Sequence, residues 1–143
     1  MKLPELRIGK LVAKVPIIQG GMAIRLSTAP LAAAVAREGG IGLIAASGMT
    51  VDELRNEIRL ARSLTDGIVG INMMVAARSF AVMIKTAIEE GIDLVVAGAG
   101  FSRDMFGLGK ESGTPSVPIV SSAKLARISA SLGASAVSVE GKG

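Results

Sequence analysis

One plan recurs along this chain: a short apolar run, a polar or glycine-rich exit, then a segment whose apolar residues keep helical spacing. With Gln19, Ala45, Asn72, Ala97, Ser121 and Val139 as the ends of the apolar runs, the intervals by subtraction are 26, 27, 25, 24 and 18 residues. Units of that length read as strand plus amphipathic helix, and a series of them lays right-handed crossovers onto a parallel sheet. An open doubly wound sheet and a (β/α) barrel both satisfy the pattern. The barrel is favoured, because polar or glycine exits occur at nearly every strand end and not at a single switch point. The expected fold class is therefore α/β, of the (β/α)8 TIM-barrel kind, as a partial barrel of about six parallel strands. A complete barrel has eight strands and typically ~250 residues, so residues 1–143 are expected to form only part of one such domain.

The elements follow in order. Leu6 to Ala13 alternates loosely and suits a short hairpin or cap. Val15 to Gln19 reads as a short buried strand ending in a polar residue and the pair Gly20-Gly21. Adjacent glycines allow positive φ and let a ligand approach the main chain, although an ordinary tight turn uses them equally well. Ser27 or Thr28 is an expected N-cap, with Pro30 in the first turn of a helix that Gly39-Gly40 ends. Strands are expected at 41–45, 68–72, 93–97, 116–121 and 134–139. In the second helix Val51, Leu54, Ile58 and Ala61 face inward while Arg55, Glu57, Arg59 and Arg62 point outward. The third helix, 78–90, is expected to bury Ala81, Ile84 and Ile88; residues 101–113 suit a short helix with loose ends, and 123–132 a further helix.

Composition narrows the chemistry. Hydrophobic residues make up 50% of the chain with a mean hydropathy of +0.54, yet there are three Phe and no Trp or Tyr. That mix suits buried parallel strands under Ala-rich helices and lacks the aromatic platforms of single-strand nucleic-acid binders. The charge of +4, from 16 basic and 12 acidic residues, is spread through the helices as solvated faces, so no nucleic-acid partner is expected. Without cysteine or histidine, the thiol nucleophile, the usual general base and the usual zinc ligands are excluded within this chain, and no metal site is expected. The longest uncharged run, Gly39 to Val51, falls short of the ~18 apolar residues of a membrane span. No signal-peptide core follows the amino terminus, so a cytoplasmic location with no membrane partner is expected.

If the strands are parallel and adjacent, their carboxyl ends form one rim that carries Gln19-Gly20-Gly21-Met22, Ser47-Gly48, Asn72-Met73-Met74, Gly98-Ala99-Gly100, Ser121-Ser122 with Lys124, and Glu140-Gly141. Exposed backbone and uncharged hydrogen-bonding groups suit a large planar heterocycle better than hydrolysis. Asn72 ends an apolar strand, where its amide either forms a turn or binds a ligand. Lys124 sits at a helix start, against the macrodipole, as an exposed lysine or as the partner of an anion. Neither Gly40-Ile41-Gly42 nor Gly98-Ala99-Gly100 completes a dinucleotide fingerprint, and Gly109-Lys110 does not complete a P-loop.

Several of these segments carry a resemblance. Pro16-Ile17-Ile18-Gln19-Gly20-Gly21-Met22-Ala23, Gly39-Gly40-Ile41-Gly42, Gly70-Ile71-Asn72-Met73-Met74 and Ser121-Ser122-Ala123-Lys124-Leu125-Ala126 do so, with Leu132-Gly133-Ala134 and Val139-Glu140-Gly141 after them. Together they resemble the FMN-dependent nitronate monooxygenases, formerly 2-nitropropane dioxygenases, and the closely related flavin-dependent enoyl-acyl-carrier-protein reductases. The resemblance runs nearly end to end and covers the amino-terminal half of such a protein. It implies a flavoprotein oxidoreductase with FMN at the carboxyl face of a TIM barrel. By the same resemblance Gly20, Gly21 and Met22 flank the isoalloxazine, Asn72 hydrogen-bonds the cofactor, and Lys124 sits near the pyrimidine edge, where reduction places negative charge. The implied substrate is a small molecule: an alkyl nitronate oxidised with dioxygen, or an enoyl thioester reduced with NAD(P)H.

The family pattern continues past the sixth strand with an Ala-Gly-Gly-His segment, whereas this sequence ends at Glu140-Gly141-Lys142-Gly143. No catalytic residue is therefore carried over, the family histidine lying beyond Gly143. The polypeptide alone is expected to be inactive and to bind FMN weakly or not at all. A rival expectation is a non-catalytic partial barrel that buries its open sheet edges against a second copy. An inosine-monophosphate-dehydrogenase-like barrel would need a cysteine nucleophile that is absent here.

Overall fold

A computed structural model describes residues 2–141. An antiparallel hairpin comes first, β1 (Leu6–Ile8) paired with β2 (Leu11–Ala13). Then β3 (Ile18–Gln19), β4 (Ile41–Ala45), β5 (Ile68–Met74), β6 (Leu94–Gly98), β7 (Ser116–Val120) and β8 (Ser138–Val139) form one six-stranded sheet. All five pairings in it are parallel. Helices α1 (Ala29–Arg37), α2 (Val51–Leu64), α3 (Phe80–Glu89), α4 (Arg103–Ser112) and α5 (Ala123–Leu132) connect consecutive strands. Spatial order follows chain order from β3 to β8, with no point at which the winding reverses. That excludes the doubly wound alternative, which needs such a reversal, and leaves a partial barrel.

Register assigns the side chains to two faces. Ile41, Leu43, Leu94, Val96 and Val117 share an inner cluster with Ile8 and Ala13, so the hairpin closes the floor of the concave face. Ile44, Val69, Ile71, Met73, Val95 and Ala97 belong to the outer cluster with Leu54, Ile58, Met83, Ile84 and Ala87 of the helices. Gly42, on the helix side of β4, is where α1 lies closest, because a Cβ there would fall inside the Ala32 carbonyl. Ala32 and Ala33 are fully buried, so small residues on both elements set the close contact between α1 and the sheet.

Several expectations are corrected. The opening strand is two residues long, and it is not buried: Ile17 is 58% and Ile18 39% exposed, because β3 is a sheet edge. In α3 the inward residues are Met83, Ile84 and Ala87, while Ala81 is exposed and Ile88 only half-buried. The inner stripe is shifted because Phe80, Met83, Ile84 and Ala87 are the residues that pack into the cluster shared with α2 and the sheet. Residues 103–112 form a regular helix ended by Gly113 in the left-handed region (φ 71°). The outward arginines of α2 are not simply solvated. Arg55 reaches Glu89 and Glu90 at 2.8 and 2.9 Å, and Arg59 meets Glu90 at 2.8 and 3.0 Å. Arg62 binds Asp93 at 2.7 Å, and that carboxylate also accepts the Val69 N–H at 2.9 Å.

Hydrogen bonds from Arg59 and then Arg55 hold the half-buried Glu90 carboxyl down from the ordinary 4.5 to about 2. A carboxylate whose pKa is depressed by folding adds stability above its unfolded value and loses it as pH falls toward the folded one. Wild type is therefore expected to be more stable than Glu90→Gln at neutral pH. The two urea midpoints should converge as pH drops from 4.5 toward about 2.

Candidate functional site at the carboxyl rim

The site begins where β3 stops. Gln19 pairs with Gly42, and beyond that point its side chain takes over from the main chain. Gln19 Oε1 accepts the Leu43 N–H at 3.3 Å, and Nε2 donates to the Leu43 carbonyl at 3.2 Å. The amide stands in for the residue that would extend the strand, which frees residues 20–22 to turn across the mouth. Nε2 also donates to the Gly20 carbonyl and to Ser27 Oγ at 3.1 Å, so its two hydrogens serve three acceptors.

Ser27 is fully buried. Its hydroxyl accepts the Met22 N–H at 2.9 Å and donates to the Gly20 carbonyl at 3.4 Å. It does not cap α1, and neither does Thr28, which occupies the cap position without a side-chain bond. The carboxylate of Glu57 on α2 accepts the Ala29 N–H at 2.7 Å and so does the capping from a neighbouring helix. Glu57 is thus turned toward α1 and not outward, since the first turn of α1 holds no acid to complement its dipole.

This loop brings Gly21 against Asn72. A Cβ on Gly21 would lie 2.6 Å from Asn72 Cβ and 3.1 Å from Nδ2, whereas one on Gly20 would meet nothing within 4 Å. Asn72 faces the concave side, in register with Ala45 and Val96, and its carbonyl accepts the Ala46 N–H at 2.9 Å. Its side-chain amide makes no hydrogen bond among the described residues and is half-buried. An open glycine backbone beside an unpaired, inward amide fits a planar heteroaromatic ligand with hydrogen-bonding edges.

Met22 is 49% exposed on the same loop. Lys124 lies further round the rim, in the first turn of α5 after β7, and β6 separates β7 from β5. It is exposed and forms no ion pair or hydrogen bond among the described residues. The fold therefore joins Gly21 to Asn72 directly and Met22 to Gly20 through Ser27, and it leaves Lys124 apart. Sequence reading missed Gln19 and Ser27 as a pair, although a glutamine and a serine eight residues apart around Gly20-Gly21 are the polar groups nearest that turn. Among the described residues no helix is long and apolar enough to cross a membrane, and no group of three or more acidic, His or Cys residues is placed to hold a metal ion.

A sequential parallel sheet with an open glycine rim defines a TIM-barrel mouth, and comparison with known proteins gives it a family. The nitronate monooxygenase family model matches residues 5–143. The chain belongs to the nitronate monooxygenase family, whose members are oxidoreductases. It is 32% identical over 126 residues to a 5-hydroxy-7a-methyl-1-oxo-octahydro-1H-indene-4-carboxyl-CoA dehydrogenase of Mycobacterium tuberculosis, covering 88% of this chain and 35% of that protein. A probable nitronate monooxygenase of Staphylococcus saprophyticus is 41% identical over 75 residues, 52% of this chain and 21% of that protein. Among solved structures, FabK from Thermotoga maritima superposes with a TM-score of 0.82 at 39% identity, over 85% of this chain and 39% of that one. Nitroalkane oxidase from Streptomyces ansochromogenes, at 23% identity and a TM-score of 0.80, shares the fold over 87% of this chain and 46% of that one. The chain thus spans about a third of the length of the curated carboxyl-CoA dehydrogenase to which it is similar.

Proposed function

We propose that this chain provides the flavin-facing part of an FMN-dependent nitronate monooxygenase, which oxidises alkyl nitronates with dioxygen. The observation that carries the reading is the contact between the Gly21 backbone and the unpaired, inward Asn72 amide at the mouth of a family barrel. FMN, when bound, supplies the ring that accepts electrons from the nitronate and passes them to dioxygen. The Gly20–Met22 backbone would flank that ring and Asn72 would hydrogen-bond its polar edge. Lys124 would supply fixed positive charge favouring the reduced ring.

A second reading keeps the flavin and replaces the substrate: NAD(P)H-dependent reduction of an enoyl thioester. It draws support from the curated relative named as a carboxyl-CoA dehydrogenase, since that name specifies a thioester. The reaction is tested with protein expressed from the complete coding sequence, because the chain spans about a third of that relative. Under anaerobic conditions an alkyl nitronate is expected to bleach the flavin absorbance, and admission of dioxygen to restore it. Bleaching by NAD(P)H alone would overturn the monooxygenase reading in favour of the reductase. On the chain itself, FMN addition followed by NMR is expected to shift the Asn72 side-chain amide and the Gly20–Met22 amides first.

A further inference from the structure

We propose that Gln19 and Ser27 are positioning residues for the flavin loop, holding Gly20–Met22 in the shape offered to the cofactor without touching it. The inference rests on the FMN reading above. Ser27 is 0% exposed, so its hydroxyl is out of reach of a ligand in the mouth. The usual duty of a serine before a helix is also ruled out, because Glu57 caps Ala29 instead. What remains is the loop. Ser27 Oγ accepts from Met22 N–H and Gln19 Nε2 and donates to the Gly20 carbonyl, which uses its full hydrogen-bonding capacity.

The main chain of Ser27 completes the clasp. Its N–H donates to the Met22 carbonyl at 3.0 Å, and its carbonyl accepts the Ala45 N–H at 2.9 Å. The loop is thereby closed on itself and tied to β4 next to the strand that carries Asn72. Outside this clasp, the loop's one side-chain anchor among the described residues is the exposed Arg25–Glu53 pair at 3.1 Å. Removing the hydroxyl leaves the Met22 N–H unpaired and the Gly20 carbonyl held by Gln19 Nε2 alone, and Gly21 is then free to lift from Asn72.

Hydrogen exchange of the Met22 amide, read by NMR on the full chain, tests the role directly. Ser27→Ala and Gln19→Met are each expected to lower Met22 protection by about tenfold and to weaken the FMN-induced shift of the Asn72 side-chain amide. Ile84→Val, a buried change in α3, which has no side-chain hydrogen bond to the loop among the described residues, is the control for general destabilisation and should alter neither readout. If Ser27→Ala does not fold, the half-exposed Gln19 position carries the test. Met22 protection unchanged in the folded variants overturns the positioning role. Protection lost as expected, with no response of Asn72 to FMN in protein expressed from the complete coding sequence, overturns the flavin reading and leaves the clasp established.

Discussion

Gly42→Ala is expected to destabilise the chain by about 3 kcal/mol, more than any other single methyl addition considered. An added Cβ at Gly42 would fall inside the Ala32 carbonyl, and the adjacent Ala32 C and Cα atoms would lie at 2.5 and 2.6 Å. These are helix-backbone atoms, so no side-chain rotation relieves the overlap. Relief requires α1 to move off β4, which opens the contact made by the fully buried Ala29, Ala32 and Ala33. In a domain of this size a loss of about 3 kcal/mol lowers the thermal midpoint by roughly 10 °C. Gly107→Ala is the contrasting case. Gly107 lies in α4 with nothing within 4 Å of an added Cβ, and alanine there should stabilise by about 0.5–1 kcal/mol through helix propensity. Midpoints moving in opposite directions would show that the Gly42 effect is steric; equal midpoints would refute the close packing of α1.

The barrel was legible because its signals are local and repeated. Helix stops at glycine and unbroken apolar strands each come from a few adjacent residues, and the structure places β4, β6 and β7 within about a residue of their sequence boundaries. Choosing a barrel over an open sheet used the spread of polar exits along the chain, and the sequential strand order bears this out. Rotation of α3 and the length of β3 were not legible, because neither is set locally. The first follows from the packing of Phe80, Met83, Ile84 and Ala87 into the cluster shared with α2 and the sheet, and the Gln19 amide ends the second by pairing with Leu43 across the sheet.

The same distinction holds at the rim. Gly20, Gly21 and Met22 were legible from exposed backbone at a strand end and Asn72 as a polar residue after an apolar run, although β5 continues past it to Met74; the fold brings Gly21 and Asn72 into contact across 51 residues of sequence by subtraction. The partners of Glu57, Ser27 and Gln19 were not. A carboxylate on one helix capping another, or a serine turned away from its own helix, depends on two elements meeting at a fixed angle. Periodicity along either element carries no such information. Lys124 remains where the sequence put it, in the first turn of α5, without a protein partner among the described residues.

Gly21→Ala separates ligand chemistry from stability, and it is expected to remove the flavin response while leaving the fold nearly unchanged. Its methyl would stand 2.6 Å from Asn72 Cβ, an atom fixed by the β5 backbone, so the rim loop yields and the sheet does not. That loop is largely exposed from Met22 to Leu26, and its displacement should shift the thermal midpoint by no more than about 2 °C. The amide of Asn72 and the backbone of Gly20–Met22 would no longer converge on one ligand. FMN-induced NMR shifts at these groups are expected to disappear, with apparent affinity falling at least about tenfold. Gly20→Ala gives the complementary result, since its methyl meets no protein atom within 4 Å. Met22 protection should survive there while FMN binding weakens, because the methyl occupies space on the ligand side. An undiminished FMN response in Gly21→Ala would show that the Gly21–Asn72 contact serves the fold of the rim and not the cofactor.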